Sequence, residues 1–134
     1  MYQYTSMSFD NGDHWTNPQI SCFTGPWSCL KVDRNPFNGK LYGIWNPIPL
    51  YNGRHYRHID WGRTPYYFAE LSDDISSFKN IQVIEDDPDH GYSYVATSFT
   101  AEDEVLLGYC SGGPEDGTGL CRQTIAKLKI KQPE

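Results

Sequence analysis

The stretch Ser8-Phe9-Asp10-Asn11-Gly12-Asp13-His14-Trp15 decides how this 134-residue chain is read. Its pattern, Ser-x-Asp-x-Gly-x-x-Trp, describes a hairpin tip that holds itself together. Ser8 and Asp10 carry short side chains whose oxygens can turn back onto nearby backbone N–H groups. Gly12 supplies the positive φ that a tight turn demands. Trp15 can fold its ring over the turn and bury it. Such a tip needs a strand on each side. Residues 2–8 alternate Tyr2, Tyr4, Ser6 and Ser8 with Gln3, Thr5 and Met7, and residues 17–23 return as the partner.

Composition points the same way. Aromatics make up 15% of the chain, with 10 Tyr and 4 Trp, and there are 12 Gly and 9 Pro. That mix suits short strands separated by turns, and no long segment repeats with the helical period. The class is all-β, in one domain at most. A formal charge of −6 argues against nucleic acid as a partner. With no run of about 18 apolar residues and no charged-then-apolar leader, neither a membrane span nor a signal peptide is expected. None of Cys22, Cys29, Cys110 and Cys121 forms a C-x-x-C pair, which disfavours zinc. Cys22 with Cys29, or Cys110 with Cys121, could bridge a hairpin, but four buried free thiols are the simpler expectation, so the compartment stays open.

Further strands follow along the chain. Gly25-Pro26 punctuates, residues 27–33 extend, Asn38-Gly39 supplies a hairpin turn, and residues 41–46 pair back. Residues 64–71 resume, with Pro65 expected at the strand start or on an edge. Ser72-Asp73-Asp74-Ile75-Ser76-Ser77-Phe78 repeats the opening pattern in decayed form: Ser72 and Asp74 keep their places, Ser76 replaces Gly, and Phe78 stands for Trp one position early. Strands over 80–85, 92–99, 104–110 and 120–130 complete the set, with a Gly-rich loop over 111–119. Lys127, Lys129 and Lys131 lie on one solvent face of the last strand.

The segment 47–62 is different: long, aromatic and charged, as functional loops are. His55, His58 and Asp60 could in principle ligate a metal, but Arg54 and Arg57 among them would repel a cation, so a polar binding loop is the better reading. No metal and no cofactor is expected. Gly112-Gly113 lacks the Lys of a phosphate loop, and no Ser sits in a nucleophile elbow.

The opening pattern is the Asp-box, and a longer series extends the likeness. Trp45-Asn46, Gly62-Arg63-Thr64-Pro65, Glu85-Asp86-Asp87-Pro88-Asp89 with Gly91-Tyr92-Ser93-Tyr94, and Leu106-Leu107-Gly108-Tyr109-Cys110 fall in one order. That order resembles the C-terminal half of bacterial sialidase-family (exo-α-sialidase-like, BNR-repeat) proteins, from Ser8 to about Ile130. The resemblance implies a six-bladed β-propeller with a ligand site at its axis. The strands then divide into the end of one blade (1–24), a full four-stranded antiparallel blade with the long loop (25–86), and most of a further blade (87–134), about two to two and a half blades in all. Because a propeller needs more, the chain is expected either to be a fragment or to assemble as a homo-oligomer that closes the ring.

Retaining sialidases use a Tyr nucleophile assisted by Glu, an Asp acid/base and three arginines that clamp the substrate carboxylate. A guanidinium fork matches a carboxylate bidentately. By that resemblance Tyr92 is the candidate nucleophile and Tyr94 the second, with Glu70 a possible partner. Arg63 is the candidate carboxylate-binding arginine, and Arg57, Trp45 and His58 are further substrate-binding candidates. The family's Arg-Ile-Pro motif and its acid/base Asp have no counterpart here. Two functions therefore stand: a sialidase-like, glycan-directed hydrolase whose site is incomplete in this chain, or a non-catalytic module or truncated fragment that binds carbohydrate or protein. The partner in the first case is a glycan or sialoside-like small molecule.

Overall fold

The computed structural model describes residues 2–48, 63–117 and 120–132. Nine strands are present among the described residues: β1 (Tyr2–Thr5), β2 (Gln19–Thr24), β3 (Lys31–Arg34), β4 (Leu41–Trp45), β5 (Tyr66–Leu71), β6 (Phe78–Glu85), β7 (Gly91–Ala101), β8 (Glu104–Gly112) and β9 (Arg122–Lys129). They form three antiparallel sheets, β1-β2, β3-β4-β5-β6 and β7-β8-β9, each meandering between sequence neighbours. The all-β class read from the sequence is therefore the class observed. No α-helix occurs among the described residues, so no helix there could cross a membrane.

The burial of β4 explains the layering. All five of its residues are buried, because a sheet covers each of its faces. Tyr42 and Ile44 join Tyr66 and Phe68 of β5 in a cluster with Tyr92, Val105, Leu107 and Tyr109 of the third sheet. Leu41 and Trp45 face the other way and meet Ala69, Leu71 and Phe23, the last from β2. The middle sheet is thus sandwiched between its neighbours. Side-chain contacts tie the layers: Asn35, fully buried, donates to the carbonyls of Ala101 and Glu102 at 3.2 and 3.1 Å, and the Thr97 hydroxyl donates to Asp33. Gly25 lies so close to the Asn46 carbonyl that a Cβ would collide with it.

Several local expectations need correction. Residues 27–30 do not extend, because the Ser28 amide turns back to the Pro26 carbonyl at 2.9 Å. β8 runs on to Gly112, and a single 3-10 turn at Pro114–Asp116 replaces part of the expected loop. All four cysteines are free, but Cys29 and Cys121 are exposed rather than buried. Pro65 sits immediately before β5. Lys127 and Lys129 do face solvent, pairing with Glu104 and Asp103 at 2.9 Å each.

Candidate functional site

One end of the middle and third sheets gathers three of the residues singled out in the sequence, Arg63, Tyr92 and Tyr94. Residues 63–65 lead into β5 there, β4 finishes, and β7 begins. Asn46, fully buried, stitches these ends together, its Nδ2 donating to the carbonyls of Pro65 at 3.1 Å and Tyr92 at 3.2 Å. The Tyr92 amide donates to the Arg63 carbonyl at 2.8 Å, and the Thr64 hydroxyl to the Asp87 carbonyl at 2.9 Å. Arg63 is thereby held beside Tyr92 and Tyr94.

Tyr94 adopts φ 59°, in the left-handed region, where the β7–β8 register shifts between Ser93 and Ala96. A bulge of this kind re-aims a side chain, and a tyrosine held at positive φ is a strained residue of the sort that concentrates at functional sites. The bulge turns the Tyr94 ring outward. The Arg63 guanidinium carbon stands 5.1 Å from the ring centroid. Its Nη1 donates to Tyr94 Oη at 3.1 Å and its Nη2 to the Trp27 carbonyl at 3.0 Å. Among the described residues Arg63 pairs with no carboxylate, so its charge is fixed in place by neutral partners.

Behind it lies a trio of buried phenols. Tyr66 and Tyr92 stack at 6.5 Å, and Tyr109 meets them edge-on at 5.6 and 6.3 Å. Burial pushes all three hydroxyls up from the ordinary phenol range. Glu85, Asp87, Asp86 and Glu115 add to the rise at Tyr92, and the hydrogen bond to Glu85 adds to it at Tyr109. At neutral pH the trio is therefore protonated and presents hydroxyl donors. The tyrosine hydrogen-bonded to a glutamate is Tyr109, whose Oη donates to Glu85 Oε1 at 2.6 Å. Nearby, His90 bridges two carboxylates, with Nδ1 2.9 Å from Asp87 and Nε2 2.6 Å from Glu115. The Glu115 contact leads in raising its pKa.

The same end concentrates polar atoms that the fold does not pair. Asn46 Oδ1, Arg63 Nε, Tyr66 Oη and Ser93 Oγ are buried without a hydrogen-bond partner among the described residues; the Tyr66 hydroxyl lies beside the Val95 backbone without a well-formed bond. Each such atom costs stability, and their clustering singles this end out.

The structure brings Tyr92, Tyr94 and Arg63 together. Glu70 is elsewhere: it lies near the far end of β5, four residues past Tyr66 or about 13 Å of strand at ~3.3 Å per residue, and cannot assist Tyr92. Trp45 is a core residue, 1% exposed and packed against Phe23 and Phe78 at 5.1 and 5.0 Å, so its indole cannot stack on a ligand. Arg57 and His58, with His55 and Asp60, lie outside the described residues. No group of metal-ligating side chains occurs among the described residues. Tyr66, Tyr109, Glu85 and Asn46 are not among the expected site residues, although Asn46, Glu85 and Tyr109 stand in the ordered series. Tyr109 carried a faint signal, as the third inward position of the alternating Val105, Leu107, Tyr109 series.

No protein-family model matches the chain, and comparison with curated proteins and with solved structures finds no similar protein.

Proposed function

We propose that the chain supplies blades of a sialidase-like β-propeller and that its Arg63 end binds an anionic, carboxylate-bearing glycan. The observation that carries this reading is Arg63: a guanidinium oriented by Tyr94 and Trp27, unpaired with any carboxylate among the described residues, beside a strained aromatic ring. A planar fork so held suits a carboxylate, and Tyr94 offers an aromatic face to a sugar. The grouping of strands into sheets of two, four and three, with the middle sheet covered on both faces, supports the blade reading. On that reading β1 and β9 each leave an edge unpaired among the described strands, and further strands, from more of the same protein or from a second copy, would continue the ring.

Sialyllactose titrated against the full chain by calorimetry tests the proposal. Arg63→Ala should weaken binding by at least about tenfold, the loss expected of a charged hydrogen-bonded contact, and Arg63→Lys should not restore it. Equal affinity in all three proteins would sink it. Retaining hydrolysis is the second reading, favoured by the hydrogen bond between Tyr109 and Glu85, a Tyr–Glu pairing of the kind such chemistry uses. A fluorogenic sialoside separates the two: turnover lost in Tyr92→Phe or Tyr109→Phe supports the enzyme and says which phenol acts, whereas binding without turnover supports the module.

A further inference from the structure

At the opposite end of the middle sheet lies a cavity of about 430 Å³, within the size range of small-molecule sites. Its walls come from the β3–β4 turn, the end of β5, the Ser72–Asp73 turn and the start of β6, and Glu70 is among the lining residues. The Glu70 side chain is 11% exposed, yet all its contacts are long. Lys40 Nζ stands 3.3 and 3.4 Å from its two oxygens, Lys79 Nζ 3.7 Å and Asn80 Nδ2 3.3 Å. A satisfied charge-assisted bond is shorter, about 2.7–2.9 Å. Both carboxylate oxygens thus carry only long donor contacts, and Glu70 lines the cavity.

The arrangement is built. Asn80 takes φ 55°, and the β5–β6 register shifts between Phe68 and Glu70. In a regular strand Lys79 and Asn80 would point to opposite faces. The bulge turns both onto Glu70.

We propose that this cavity binds a neutral, hydroxyl-rich ligand of the hexose class. The lining charges balance, Lys40 and Lys79 against Glu70 and Asp73, the last also 3.6 Å from Arg34, so a net anion meets the carboxylates and a net cation meets the ammonium groups. Adjacent sugar hydroxyls donate to the two Glu70 oxygens, while Lys40, Lys79 and Asn80 donate to other ring substituents. Phe78 offers apolar surface to a sugar face. The inference does not rest on the Arg63 site, which lies at the other end of the sheet.

The test is a titration of the full, isotope-labelled chain with methyl β-galactoside, methyl α-mannoside and N-acetylglucosamine, followed by amide NMR. At least one should shift the amides of Gly39, Ser72 and Lys79 saturably. Glu70→Gln should weaken that binding about tenfold and the solvent-facing Lys79→Ala severalfold. Lys79 is exposed, so its variant reports on the site even where Glu70→Gln disturbs the fold. Arg63→Ala should leave the titration unchanged. Absence of saturable shifts with all three sugars, or equal affinity in wild type and Lys79→Ala, overturns the proposal. Shifts produced only by sialyllactose would also overturn it.

Discussion

The two hairpin tips, Ser8–Trp15 and Ser72–Phe78, carry nearly the same local chemistry and meet opposite fates. In the first, the Gly12 amide donates to Ser8 Oγ at 2.7 Å and the His14 amide to Asp10 at 2.9 Å. In the second, the Ser76 amide donates to Ser72 Oγ and to Asp74, at 3.1 Å each. Both serines donate to their aspartates, at 2.9 and 2.7 Å. Asn11 and Ile75, at equivalent places, have φ values of 59° and 58°. The decayed sequence still makes the same turn.

The closing aromatics differ. Trp15 bonds its indole N–H to the Gly12 carbonyl at 3.0 Å and lies over the turn, but it is 64% exposed. It covers the tip without being buried, contrary to the expectation from its sequence. Phe78 stacks on Phe23 at 5.7 Å and meets Trp45 edge-on at 5.0 Å, partly buried against the core between the first and middle sheets. Identical backbone chemistry thus closes one turn locally and anchors the other to the tertiary core. The physical lesson is that the Ser and Asp side chains specify the turn, while the layer beneath it decides what the aromatic residue is worth.

The largest test of that contrast is truncation of the two aromatics. Phe78→Ala should cost about 3 kcal/mol by opening a cavity in the core. Trp15→Ala should cost no more than about 1 kcal/mol, the loss of one exposed bond and ring contact. Urea unfolding compares them directly, and equal losses would mean that the layers do not pack as described.

A second test uses pH. Hydrogen bonds from Ser72, then Ser76, lower the Asp74 carboxyl from 3.8 to about 2. Because the folded value is depressed, its contribution is full above the unfolded value, and it disappears as pH falls through the folded one. The melting temperatures of wild type and Asp74→Asn should therefore differ at neutral pH and converge as pH falls from 3.8 to about 2. Asp10, lowered chiefly by the His14 amide, should behave in the same sense. A difference that persists at the acid end would show that the side-chain geometry of the turn, rather than the ionised carboxylate, carries the effect.

The smallest test concerns the glycine that only one tip retains. Gly12 has φ 99°, where a side chain is strained. Gly12→Ala should cost about 1 kcal/mol, while Ser76→Ala, which removes one exposed hydroxyl bond to Asp74, should cost a few tenths. Thermal unfolding of the two variants resolves the order.

Much of this fold was legible because its determinants are local. The Ser-x-Asp turns, the Asn-Gly signal and the period-two strands all act within a few residues, so nine strands could be located with errors confined mostly to their ends. The aromatic richness announced a β core, whereas the cysteine spacing left hairpin bridges open and did not show that Cys29 and Cys121 are exposed. The site was legible only in part. Arg63, Tyr92 and Tyr94 lie within loop and strand-start segments whose composition drew attention to them, and they do converge.

What the sequence could not show depends on how the sheets stack and where the ladder slips. Trp45 reads as an aromatic fit for a sugar, but a sheet on each face of β4 makes it core. Glu70 reads as a possible partner for Tyr92, but strand direction carries it to the far end, beside Lys40 and Lys79. Tyr109 and Glu85 are 24 residues apart and meet only because the third sheet packs on the middle one. The bulges at Tyr94 and Asn80 invert the outward and inward positions that a period-two pattern assigns. Hydrogen bonds over a few residues determine turns and strands, whereas burial and convergence are properties of the packed layers and belong to no single stretch of chain.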